Sequence, residues 1–185
     1  SPKNRSPKAN LVHIGCGTNL FEGFENLDFF QLKFWKVKHV QHDLRYRLPY
    51  KDNTFEGAFS EHVLEHFCFE DAKLLLTEIY RVLGNGGFFR CAVPDLNLYV
   101  QNYVEKPVDK EFEKFSSGCE AFNHLTQMWG HLSVWDEQAL KKEMKAVGFD
   151  KVEVFGFGEG NDNRLIRDSE SRRWETIYIE GVKNI

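Results

Sequence analysis

Short apolar runs of β-type residues alternate along this chain with stretches whose apolar positions recur at helical spacing. "NLVHIG" (10–15) predicts a first strand that ends at a glycine; "ENLDFF" (25–30), "KHVQHD" (38–43) and "TFEGAFS" (54–60) predict a second, third and fourth. Ala72, Leu75, Leu76, Ile79, Val82 and Leu83 then repeat at i, i+3, i+4 and i+7, and Gly84 is placed to stop that helix. "GFFRCAV" (87–93) predicts a fifth strand, broken by Pro94, and "DEQALKKEMKAVGF" (136–149) a second amphipathic helix ending at Gly148. "KVEVFGFG" (151–158) and "ETIYIEGV" (175–182) predict two last strands, joined by a charged connection with weak helical periodicity.

Such alternation predicts an α/β domain with a mostly parallel sheet covered by helices. Open sheets of this kind bind ligands at the carboxyl ends of the strands, near the point where strand order reverses. The residues expected there are "GCGTN", Asp28, Asp43, "SEHVLEH" and "PDL", polar or glycine where the preceding run is apolar.

Composition narrows the picture. The chain has 185 residues and a formal charge of −4, with Lys and Arg scattered rather than striped, so nothing favours nucleic acid as a partner. No apolar run is long enough to span a bilayer, and "SPKNRSPKAN" lacks the apolar centre of a signal peptide. Residues 1–9 are expected to be a disordered tail and 10–185 a single domain, with 96–135 a lid-like insert on the acceptor side. Cys16, Cys68, Cys91 and Cys119 form no CxxC pair and fall in segments that look buried, which suits reduced thiols and a cytoplasmic location.

One pentapeptide raises a competing possibility. His62, Val63, Leu64, Glu65 and His66 fit HxxEH, a zinc-peptidase spelling. That site needs a helix running through the motif and a third protein ligand. Here the motif follows a β-run directly and meets Phe67-Cys68-Phe69, so no metal is expected.

Taken in order, "VHIGCGTN", Asp28, "HDLRYRLPYKDNTFEGAFSEHVLEHF", "LTEIYRVLGNGGFFRCAVPDL" and the ending "GHLSVWDEQALKKEMKAVGF … ESRRWETIYIEGVK" resemble the motifs of class I S-adenosylmethionine-dependent methyltransferases. The resemblance runs from Leu11 to Val182. The ending is similar to that of small bacterial members of polysaccharide or secondary-metabolite pathways. It implies a Rossmann-like, mostly parallel seven-stranded sheet with an antiparallel last strand, helices on both faces, and S-adenosyl-L-methionine as cofactor, S-adenosyl-L-homocysteine being the product.

The chain departs from the family at Asn19, where a third glycine is usual. Only 11 positions separate Gly17 from Asp28, too few for a helix at 1.5 Å and a strand at 3.3 Å per residue. The first crossover is therefore expected to be a loop or single turn bending at Gly23.

By resemblance, Gly15, Cys16, Gly17 and Thr18 border the cofactor's amino-acid tail, Asp28 takes the ribose hydroxyls, and Asp43 with Leu44 meets the adenine, covered by Phe29. Ser60 and Glu61 line the methionine end. His62 and His131 are the candidate general bases, because imidazole titrates near neutrality. Asp95 is the candidate acceptor-binding residue, with a helix cap as its plainer reading. Arg164, Arg167, Arg172 and Arg173 could hold an anionic substrate group or form a solvated face. The expected acceptor is a small molecule or glycan, methylated on oxygen or nitrogen by a monomer or homodimer that meets neither nucleic acid nor membrane. Two alternatives stand beside this: a methyltransferase-like protein that binds cofactor without turnover, and an NAD-dependent Rossmann oxidoreductase. The second calls for GxGxxG and an acid about 20 positions on, whereas Leu20 occupies the third glycine position here.

Overall fold

The computed structural model describes residues 5–30, 39–104 and 108–184. Seven strands form one sheet: β1 (Leu11–Ile14), β2 (Phe24–Asp28), β3 (His39–Gln41), β4 (Phe55–Glu61), β5 (Leu83–Pro94), β6 (Asp150–Phe155) and β7 (Thr176–Val182). Their order is β3-β2-β1-β4-β5-β7-β6, and β7 runs antiparallel to both neighbours. The pairs β1–β2, β2–β3, β1–β4 and β4–β5 are parallel. The strand order reverses between β1 and β4, which makes their carboxyl ends the crevice of the sheet.

Alternate residues of each central strand are buried on opposite faces, as expected of parallel strands covered on both sides. Val12 and Ile14 of β1, Ala58 of β4, Phe89, Cys91 and Val93 of β5, and Ile177 and Ile179 of β7 join the main core. Helices α1 (Phe69–Val82) and α4 (Glu137–Val147) close that face. Leu75, Leu76, Ile79 and Val82 form the buried stripe of α1, and Leu140 and Met144 that of α4. Asp136 caps α4 by accepting from the Ala139 N–H, and Gly148 ends it in the left-handed region at φ +116°.

Helix α1 ends differently from expectation. It stops at Val82, because Leu83 is extended and already pairs with Phe55 of β4. Gly84 is therefore no helix terminus. The left-handed turn of the "GNGG" stretch falls at Gly86, with φ +78°.

The first crossover, residues 15–23, contains no helix, and this changes what covers the other face. Leu11, Phe24, Phe59 and Leu165 make a second cluster there, with Leu165 supplied by the long β6–β7 connection. That connection is pinned by Arg90, a fully buried β5 residue whose guanidinium donates to Asp168 at 2.7 and 2.6 Å and to Glu180 at 2.9 Å. A charged loop thus occupies the space that a crossover helix would fill.

The insert forms α2 (Leu96–Val104) and α3 (Gly118–Asn123), packed around Tyr99, Phe112, Ala121 and Leu125. Most of its aromatics are core, as their spacing suggests; Tyr103 and Trp129 are exposed. Residues 1–4 of the expected tail lie outside the described residues. Within the rest of it, the Arg5 N–H donates to the Pro49 carbonyl and the Lys8 N–H to Glu25. All four cysteines are free thiols; Cys16 and Cys91 are buried, but Cys68 and Cys119 are exposed, since each sits at the solvent side of a helix start. No helix among the described residues is long and apolar enough to cross a membrane.

Candidate active site

The carboxyl ends of β1 to β4 surround a cavity of about 500 Å³, within the ~300–1,000 Å³ common for small-molecule sites. Gly15, Gly17, Asp28, Phe29, Asp43, Leu44 and His62 line it, together with Val63, His66 and Leu132 among others. Each arrives there for a local reason. Gly15 (φ +69°) and Gly17 (φ +50°) turn the chain away from β1 in the left-handed region that glycine adopts without strain. At Gly17 a side chain would project into open space. Asp28 ends β2 and accepts from the Gly17 N–H at 2.7 Å and the Phe30 N–H at 3.0 Å, so its carboxylate braces the glycine turn while facing the cavity. Asp43 is held well below the usual carboxylate range by hydrogen bonds from Arg45, the shortest 2.6 Å.

Other residues named from the sequence lie elsewhere. Cys16, Thr18 and Ser60 are beside the cavity but do not line it, and burial raises the Cys16 thiol to about 12. The Glu61 carboxylate is turned to the β6–β7 connection, accepting from the Ser169 N–H and hydroxyl. Asp95 is drawn away by its cap: it accepts from the Asn97 N–H at 2.9 Å and borders a separate depression with Asp136 and Lys141. The arginines are spoken for as well. Arg164 pairs with Asp162 and Glu56, Arg172 with Glu175 and Arg173 with Glu170, while Arg167 lies over the Phe24 ring.

The HxxEH stretch is not one helix. Strand β4 ends at Glu61, His62 takes φ +53°, and Leu64–His66 make a single 3₁₀ turn. His62 Nε2–H donates to Thr176 Oγ1 at 2.8 Å, because the Thr176 hydroxyl already donates to the Arg172 carbonyl. The opposite nitrogen, Nδ1, lies 3.5 Å from Glu65. Burial, with Arg172, His131 and His66 nearby, pushes His62 down to about 3. Burial raises Glu65 to about 8, so the two are both neutral at pH 7 and do not form an ion pair. His131 lies behind the cavity wall, its Nδ1–H donated to the Leu125 carbonyl and its Nε2 4.0 Å from Glu65. Neither histidine is therefore poised as a strong base: one is held neutral with both nitrogens facing protein groups, and the other does not line the cavity.

Glu65, set aside with the HxxEH zinc-peptidase reading, is the residue whose setting in the fold stands out. It is 1% exposed, and neither carboxylate oxygen has a hydrogen-bond partner. Its place between Leu64 and His66 in an otherwise inward-packing run was the available signal.

Residues 23–91 match the family model described as a methyltransferase domain. Over that segment, somewhat more than a third of the chain, the sequence is similar to methyltransferase domains. The match spans β2 through most of β5, so the domain contains the acidic strand ends and the HVLEH turn. The fold extends the likeness over nearly the whole chain. It resembles a SAM-dependent methyltransferase from Archaeoglobus fulgidus at 16% identity and TM-score 0.62, covering 96% of this chain and 88% of that one. A SAM-dependent methyltransferase from Thermotoga maritima, described as a possible histamine N-methyltransferase, gives 20% identity and TM-score 0.60 over 96% and 83%. Haemonchus contortus phosphoethanolamine N-methyltransferase 2, in complex with S-adenosyl-L-methionine, gives 14% and 0.56; 98% of this chain spans 50% of that one. No curated protein matches the chain.

The cavity residues fit S-adenosyl-L-methionine, the cofactor that the sequence resemblance implies. A diol can be accepted by the remaining lone pairs of Asp28, a glycine backbone lets a flexible tail approach closely, and Phe29, Phe30 and Leu44 give an aromatic base apolar walls.

Proposed function

We propose that this chain is a methyltransferase that moves the cofactor's methyl group to a small-molecule or carbohydrate acceptor, on oxygen or nitrogen, by in-line displacement. The observation that supports it is the convergence of Gly15, Gly17, Asp28, Asp43 and Leu44 on one cavity that His62, His66 and Leu132 also line. Gly15 and Gly17 hold the tail, Asp28 the ribose and Asp43 with Leu44 the adenine. That leaves the sulfonium near His62, and an acceptor enters beside His66 and Leu132. The acceptor is small because the cavity is small and the described surface offers no basic stripe for a polyanion. Acceleration comes largely from holding acceptor and methyl carbon in line. An amine acceptor arriving neutral needs no base.

The test is transfer of labelled methyl from S-adenosyl-L-methionine to a panel of hydroxyl and amine acceptors, including sugars. Transfer to one chemical class is expected. A second reading, cofactor binding without turnover, is favoured by one observation: His62 has both ring nitrogens facing Thr176 and Glu65. Tight cofactor binding with no transfer to any acceptor would select it.

A further inference from the structure

HxxEH fails as a peptidase motif for want of a helix and a third ligand, yet the fold delivers a third ligand from elsewhere. The Leu132 and Ser133 N–H groups donate to the Glu65 carbonyl at 2.7 and 3.2 Å, and the Ser133 hydroxyl donates to the Leu64 carbonyl at 3.3 Å. These bonds clamp His131 against Glu65 and His66, whose ring lies 4.9 Å from that of His131. We propose that Glu65, His66 and His131 form a binding site for one divalent transition-metal ion of the zinc class, opening on the cofactor cavity.

The ligand atoms of the three residues lie within 4.8 Å of one another. Bonds of ~2.0–2.2 Å to a tetrahedral ion require separations near ~3.4 Å, a contraction that side-chain rotation supplies. His131 is prepared as a ligand: with Nδ1–H donated to the Leu125 carbonyl, its Nε2 carries the lone pair and faces Glu65. A second-site hydrogen bond of this kind fixes tautomer and ring orientation in metal-bound histidines. His66 makes no side-chain hydrogen bond among the described residues and is the exposed member, so it is the door from the cavity. Glu65 supplies the independent observation. A fully buried carboxyl group with both oxygens unpartnered is costly, and a cation that displaces its proton and sits between it and two imidazoles satisfies it. Two histidines and one glutamate leave a coordination position open to water or a substrate oxygen.

The role of the ion rests on the proposed function. Held beside His62 and Leu132, it acts as a Lewis acid on an acceptor hydroxyl, drawing the O–H proton toward solvent so that the oxygen attacks the methyl carbon and S-adenosyl-L-homocysteine leaves. This assigns oxygen as the methylated atom and replaces the base that the two histidines do not provide.

The full chain, stripped with a chelator, is titrated with Zn²⁺ by calorimetry and with Co²⁺ by visible absorption. One ion per chain is expected. Glu65→Gln and His131→Asn should each weaken Zn²⁺ binding at least about 10–100-fold, with affinity for S-adenosyl-L-homocysteine within about threefold, which also shows that the variants fold. Cys68→Ser and Cys119→Ser should bind Zn²⁺ as the parent does. No stoichiometric binding, unchanged binding in both Glu65 and His131 variants, or a thiolate-to-Co²⁺ charge-transfer band would overturn the site. Loss of cofactor binding beside intact metal binding would instead defeat the methyltransferase reading and leave the site standing.

Discussion

Gly15 and Val63 touch where β1 meets the HVLEH turn: a Cβ on Gly15 would lie 2.4 Å from a Val63 methyl. The contact joins the glycine turn to the wall that carries His62 and His66. Gly15→Ala adds both this overlap and a left-handed conformation that alanine resists, at φ +69°. We expect a stability loss of about 1–3 kcal/mol in chemical denaturation and weaker cofactor binding, because Val63 must shift into the cavity. An unchanged midpoint would show that the contact is slack.

Asp28 braces the Gly17 and Phe30 N–H groups, and in the proposed function it also meets the ribose. Asp28→Asn should lower affinity for S-adenosyl-L-homocysteine about 10–100-fold, the loss of a charge-assisted pair of bonds at ~1.5–3 kcal/mol. Calorimetric titration checks it; unchanged affinity would place the ribose elsewhere.

Arg90 stands between Asp168 and Glu180 with no exposed surface. Arg90→Met leaves two buried acids without their cation, and the expected loss is about 3–5 kcal/mol. Since Asp168 sits next to Ser169, which holds Glu61, limited proteolysis should cut the 156–169 connection faster in the variant. Equal stability and equal cleavage would show that the loop is held by Leu165 alone.

His13 is buried in the second cluster, stacked on Phe21 at 4.4 Å and bonded to Asn26. Burial pushes it down to about 4 from 6.5, against a smaller opposing effect of Asn26. The unfolded chain takes up that proton below 6.5 and the folded chain only near 4, so its contribution is complete above 6.5 and is lost as pH falls toward 4. Urea denaturation of the parent should lose on the order of 2–3 kcal/mol from this group across that window, and His13→Phe should lack that part of the slope. A parallel pH dependence in parent and variant would show that His13 does not contribute.

The strands and both long helices were legible because their periods differ: alternation over Phe55–Glu61 and i, i+3, i+4 spacing over Ala72–Val82 permit one assignment each. The absent first helix was legible from simple length, Gly17 to Asp28. Less could be read where a partner distant in sequence decides the outcome. Leu83 leaves α1 because Phe55 pairs with it, the arginines of the last connection are neutralised by acids such as Glu56, and Asp95 is claimed by the start of α2. Glu65 was the least legible. Its burial depends on Leu132 and Ser133 folding back onto its own carbonyl, a contact that no local pattern announces.

The most direct measurement is a crystal structure of the chain grown with S-adenosyl-L-homocysteine. The account predicts the ribose hydroxyls on Asp28, the adenine between Phe29 and Leu44, and the sulfur within reach of His62. A nucleoside bound away from the ends of β1 and β2, or excluded from that cavity by the Phe29–Phe30 rings, would contradict it.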